Sequence, residues 1–204
     1  MLDRFRPWAN RALAPFVDAS ETVGLTPNGV SVIAFVFAGA AGGAFALAGG
    51  RGPAWLYLAA SIFVFANGWL DLVDGALARE LGTDSKGGDL LDHVLDRYAD
   101  VIIIAGLAAG ADAFTLGLLA VTGVLLTSYL GTQIQAVGLG REYGGLLGRA
   151  DRLTLTGVVG VVAFVEPGTI AVGVTAVELL LVLFAVVGHL TALQRFWGAW
   201  TQLE

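Results

Sequence analysis

Residues 71–100 place eight carboxylates between two long apolar stretches, and any fold of this chain must accommodate that contrast. Asp71 and Asp74 are three apart and Asp92 and Asp96 four apart, so on helices the members of each pair sit about 60° and about 40° apart around the axis, sharing a face. A bare carboxylate at membrane depth costs about 2.5–3.5 kcal/mol on insertion scales. Four of them facing one another therefore need protons, cationic partners or metal ions, and we read the spacing as metal.

The rest of the 204 residues is greasy: 56% hydrophobic, 14% charged, with a mean hydropathy of +0.78. A water-soluble domain of this length would expose too much apolar surface, so the expected class is an all-α integral membrane protein. The absence of cysteine removes disulfides and thiolate metal sites from consideration. Oxygen ligands remain, and these suit Mg²⁺, Mn²⁺ or Ca²⁺. The net charge of −6 comes largely from residues 71–100, and nothing supports binding to nucleic acid.

Residues 1–20 intersperse Leu2, Phe5, Trp8, Leu13 and Phe16 with Arg4, Arg6 and Arg11, the pattern of an amphipathic helix lying on the bilayer surface. Residues 21–204 read as a single domain of six transmembrane helices, at about 29–48, 54–78, 88–110, 114–139, 153–165 and 169–193. Thr26 is an N-cap candidate with Pro27 at the first helical position. Six spans put both termini on one side, where nearly all the Lys and Arg residues also fall. By the positive-inside rule that side is cytoplasmic, which predicts a multi-pass protein of the cell membrane with its acidic cluster facing the cytoplasm.

Four carboxylates on two adjacent helices can hold two divalent cations that clamp a diphosphate, while one carboxylate accepts a proton from an attacking hydroxyl. Glu80, Asp84 and Asp89 read as solvent-facing loop charges. The full pattern is Asp71-x2-Asp74-Gly75-x2-Ala78-Arg79, eight residues, then Gly88-x3-Asp92-x3-Asp96. This resembles the signature of the CDP-alcohol phosphotransferase family at each of its fixed positions. The resemblance implies transfer of a phosphatidyl- or archaetidyl-type group from a CDP-linked lipid to an alcohol, with release of CMP. It further implies that Asp71, Asp74, Asp92 and Asp96 hold two Mg²⁺ or Mn²⁺ ions and that Asp96 is the general base. Gly75, Ala78, Arg79 and Gly88 would surround the CDP group, and the protein would be a homodimer in contact with membrane lipids.

Arg141, Arg149 and Arg152 follow the fourth span, where guanidinium forks could hold a phosphorylated acceptor. Positive-inside bias alone also accounts for them. The stretch around Arg149-x2-Arg152 is similar to the inositol-phosphate-using branch of the family, although Gly148 stands where Glu is expected. Inositol 1-phosphate is thus the expected acceptor, with glycerol 3-phosphate or serine as alternatives. An intramembrane prenyltransferase would also use Asn67-x3-Asp71-x2-Asp74, but it needs more spans than this chain can hold. An acidic-site cation transporter predicts mid-bilayer carboxylates and an inverted repeat, and the chain shows no repeat. Asn67 reads as an outer support of the acidic site and Asp100 as the partner of a nearby cation. His93, His189 and Glu178 read as packing or loop residues.

Overall fold

The computed structural model describes residues 6–49, 52–83, 85–140, 145–171 and 173–204. Helix α1 (Arg6–Thr22) leads into α2 (Pro27–Ala48), α3 (Trp55–Leu81), α4 (Lys86–Gly110), α5 (Phe114–Ala136), α6 (Arg149–Val165) and α7 (Ala176–Leu203). A short antiparallel hairpin, β1 (Thr169–Ala171) and β2 (Val174–Thr175), precedes the last helix. Among the described residues, four helices, α2, α3, α5 and α7, are long and apolar enough to cross a membrane. Helix α4 carries the polar motif in its first half, and α6 is only 17 residues long.

Local chemistry sets the helix starts that matter for the site. Thr26 caps α2 by accepting a hydrogen bond from Gly29 N at 3.2 Å, with Pro27 in the first turn, as the sequence suggests. At the end of α3, Gly82 adopts a left-handed φ of 59°, which lets Thr83 N bond back to Ala78 O at 3.0 Å and stops the helix at Leu81, two residues past the motif's Arg79. Ser85 then caps α4 through Gly88 N at 3.0 Å. The reversal between Gly82 and Ser85 is what brings the two carboxylate-bearing turns face to face.

Two helix starts differ most from expectation, and α7 also runs on to Leu203, past the expected end at about 193. The fifth apolar run was expected to open at 153, yet α6 begins at Arg149, because the Asp151 carboxylate accepts from Gly148 N at 2.8 Å and caps the helix one turn earlier. Arg149 and Arg152 are therefore helical residues rather than loop residues. The last run was expected to begin at 169, but Thr169–Ala171 and Val174–Thr175 pair as β1 and β2, and α7 begins where Thr175 and Glu178 satisfy each other's orphan groups.

Helix α2 packs on both α3 and α4, α3 on α6 and α1, and α5 on α7. The α2–α4 crossing is close because glycine meets glycine: a Cβ on Gly106 would lie 2.1 Å from Gly42 O. The larger core joins Ala38, Phe45, Val64, Ile103, Leu107, Val124 and Leu181 from α2, α3, α4, α5 and α7, and a smaller one joins Leu13, Val17, Val30, Val73 and Leu77 from α1, α2 and α3. Residues 1–5 of the expected surface helix lie outside the described residues. Further along, α1 buries Leu13 and Val17 and sets Phe16 edge-on against Trp69, with ring centroids 5.3 Å apart.

Candidate active site

The ends of α3 and α4 bring Asp71, Asp74 and Asp92 together, each offering a carboxylate oxygen, all within 4.8 Å of one another. Three hard oxygen donors converging at that spacing suit a divalent cation such as Mg²⁺ or Mn²⁺. Helix α2 supports them from behind. Ser31 Oγ donates to Asp74 Oδ2 at 2.7 Å, a buried bond to a charged acceptor. Asn67, 2% exposed, donates from Nδ2 to Ala34 O at 2.9 Å, joining α3 to α2 one turn before Asp71.

Asp96 stands one turn beyond Asp92 and engages cations. Its Oδ1 lies 2.7 Å from Arg149 Nη2, and Arg149 Nη1 lies 2.8 Å from Asp71 Oδ2, so one guanidinium bridges carboxylates on two helices. Behind it Asp100, 5% exposed, accepts from Arg152 Nη2 at 2.9 Å, fulfilling its expected role as partner of a cation. Arg97 lies 3.5 Å from Asp96 and also donates to Ser128 Oγ. The alternating charges offset one another, which partly buried ions require.

Among the described residues, three sizeable cavities of different character open onto this cluster. One of about 450 Å³ lies between α2 and the α3–α4 reversal, lined by Asn28, Ser31, Asp74, Gly75, Ala78, Gly88 and Asp92. A Cβ on Gly88 would come within 3.2 Å of Asn28 Oδ1, narrowing it. A second cavity, about 600 Å³ and mainly apolar, is lined by Phe16, Phe65, Trp69, Leu72 and Leu153 and ends at Asp71 and Arg149. The third and largest, about 780 Å³, holds Asp96, Arg97, Arg149, Arg152 and Arg195 in its wall.

The structure thus gathers Gly75, Ala78 and Gly88 around one cavity and Arg149 and Arg152 around another. Arg79 is exposed, with its Nη1 beside Gly75 at the edge of the first cavity rather than in its lining. Arg141 lies outside the described residues. Glu80 and Asp89, expected on a loop, sit on the last turn of α3 and the first turn of α4, and both are exposed, whereas Asp84 is not described. His93 lines the largest cavity, its Nδ1 2.8 Å from Asp89 O, while His189 meets Thr122 Oγ1 at 3.3 Å between α5 and α7. Ser31 and Arg195 were not recognised from sequence as site residues. Ser31 had a usable signal, since it lies one turn after Pro27 on the helix face that carries the N-cap motif.

Comparison with known proteins follows the same lines. The profile of the CDP-alcohol phosphatidyltransferase family matches residues 24–200. The archaetidylinositol phosphate synthase of Methanothermobacter thermautotrophicus is 27% identical over 100% of this chain and 96% of its own. The phosphatidylinositol phosphate synthase of Streptomyces avermitilis is 32% identical over 82% of this chain and 71% of its own. Among solved structures, the Mycobacterium tuberculosis phosphatidylinositol phosphate synthase with CDP-DAG bound superposes with a TM-score of 0.76 at 26% identity, covering 94% of each chain. The same synthase in complex with manganese and citrate gives 0.75 at 25% identity, over 93% of this chain and 89% of that one.

Proposed function

The chain belongs to the CDP-alcohol phosphatidyltransferase family, a class of membrane transferases in phospholipid synthesis, and on that premise we propose that it transfers a phosphatidyl- or archaetidyl-type group from a CDP-linked lipid to inositol 1-phosphate, releasing CMP. The observation that carries this reading is the convergence of a polar cavity, an apolar groove and an arginine-lined chamber on one carboxylate cluster. The nucleotide fits the first, between Asn28, Gly75, Ala78 and Gly88, with Arg79 reaching its edge. The lipid tails fit the groove beside Phe65, Trp69 and Leu153. The phosphorylated acceptor fits the chamber, where Arg149 and Arg152 supply forked donors that match a phosphate; Arg141 is proposed to join them. The names of the relatives above also favour an inositol phosphate over glycerol 3-phosphate or serine.

Asp71, Asp74, Asp92 and Asp96 are assigned to two Mg²⁺ or Mn²⁺ ions. When bound, these ions would neutralise the diphosphate and the charge that builds on its bridging oxygen. The chain's own residues do the rest. Ser31 and Asn67 fix the outer side of the carboxylates, and Arg149 and Arg152 orient the acceptor through its phosphate. Asp96, in the wall of the acceptor chamber, takes the proton from the acceptor hydroxyl. The acceptor oxygen forms its bond to the lipid-bearing phosphorus as the bond to the bridging oxygen breaks, and CMP departs with that electron pair. Helices α4 and α6 complete six spans with α2, α3, α5 and α7. Both termini and the cluster face the cytoplasm, α1 lies at the interface, and the enzyme is a homodimer.

The experiment that tests the assignment of Asp96 is Asp96→Asn. The variant should still bind CDP-lipid while losing transfer by about 10²-fold or more, the usual worth of a positioned base. Turnover close to the unaltered enzyme would remove Asp96 from that role.

A further inference from the structure

Arg149 touches two sites that the proposed reaction must fill separately. Its guanidinium bridges Asp71 at 2.8 Å and Asp96 at 2.7 Å, two of the four carboxylates assigned to the cations. The same side chain lines the acceptor chamber together with Arg97, Arg152 and Arg195. A guanidinium N–H and a divalent cation compete for the same carboxylate lone pairs, and two cations held a few ångströms apart repel each other as well. A phosphate, in contrast, is as good a partner for the guanidinium fork as a pair of carboxylates.

The surroundings allow Arg149 to exchange one partner for the other. Its backbone is fixed in the first turn of α6 by the Asp151 cap, so a change of partner needs only side-chain rotation. Its neighbour Arg152 already holds Asp100 through Nη2 at 2.9 Å, so it does not take the place of Arg149 on Asp71 and Asp96. The Nε of Arg149 has only a distant carboxylate, Asp100 Oδ1 at 3.9 Å, and forms no hydrogen bond, leaving a donor for an incoming phosphate oxygen.

We propose that Arg149 couples the cation site to the acceptor site: cations on Asp71 and Asp96 displace its guanidinium towards the chamber, and a phosphate that captures it there tightens the cations. Linkage makes the coupling reciprocal, so cations raise acceptor affinity by the same factor, and metal loading comes to favour acceptor binding. This rests on the reading that the chamber receives the acceptor's phosphate.

The test is Mn²⁺ binding to the purified full-length protein in detergent, followed by electron paramagnetic resonance without nucleotide, with and without inorganic phosphate. For the unaltered protein, phosphate should tighten Mn²⁺ about fivefold or more, the lower range of ordinary coupling. Arg149→Gln should bind Mn²⁺ at least about fivefold more tightly than the unaltered protein without phosphate, and phosphate should add nothing further. If phosphate bound the metal directly, its effect would persist in the variant, and that result overturns the proposal. So does a variant that binds Mn²⁺ no more tightly, or an unaltered protein that ignores phosphate. Arg149→Met, which keeps the apolar stem, is read by the same criteria if the Gln variant is not recovered folded. Failure of the underlying functional reading shows elsewhere, as the absence of CMP release with any phosphorylated acceptor.

Discussion

At the level of single residues, Ser31 is the sharpest test of how the carboxylates are held. Its 2.7 Å bond to Asp74 is buried, and a hydrogen bond to a charged group contributes about 1.5–3 kcal/mol. Ser31→Ala should therefore weaken Mn²⁺ binding by about tenfold, as loss of an outer-shell partner usually does, while leaving the protein folded. Titration of the variant checks this, and unchanged affinity would show that Asp74 is oriented without Ser31. The aspartates themselves were legible because three- and four-residue spacings mean one helix face whatever the tertiary fold. Ser31 was not singled out because a hydroxyl in an apolar run usually serves packing. Arg149 and Arg152 were visible as arginines but not in their pairing with Asp71, Asp96 and Asp100, since the approach of α6 to α3 and α4 is set by packing and not by sequence spacing. Arg195 reaches the chamber from α7, donating to Thr127 O at 2.6 Å, a link that only the folded bundle creates.

At the level of elements, the position of α4 relative to α2 decides whether Asp92 faces Asp74. Glycines at the α2–α4 crossing permit that approach: an added Cβ at Gly106 would overlap the Gly42 backbone, whereas one at Gly39 would meet nothing within 4 Å. Gly106→Val should cost about 3 kcal/mol, the upper range for overpacking, and lower the melting temperature in detergent, while Gly39→Ala should be nearly silent. Equal melting curves for the two would mean that the helices do not cross as described. The long apolar runs announced α2, α3, α5 and α7 because length and hydropathy are local properties. The early start of α6 and the pairing of β1 with β2 escaped notice because each depends on a few side-chain and backbone bonds within an otherwise apolar stretch. The small residues of α2 read only as permission for close packing; which ones meet another helix is a property of the pair.

For the whole molecule, a six-span arrangement puts the 166–168 turn and the end of α7 on opposite sides of the bilayer. The chain has no cysteine, so single cysteines report cleanly. Pro167→Cys, in the exposed turn before the hairpin, should react with an impermeant maleimide from outside intact cells, and Gln202→Cys only in inverted vesicles. Labelling of both from one face would contradict six spans. The bundle matters because it draws the three cavities onto one cluster, a convergence no single segment of sequence reveals. The central claim is that this convergence performs transfer. The most direct measurement is CMP release by the purified protein with CDP-linked lipid, with and without Mg²⁺ or Mn²⁺, across inositol 1-phosphate, free inositol, glycerol 3-phosphate and serine. Release should require the metal and proceed with inositol 1-phosphate, and should fall strongly when the acceptor lacks its phosphate. Release that ignores the metal, or no release with any of these acceptors from folded protein, would contradict it.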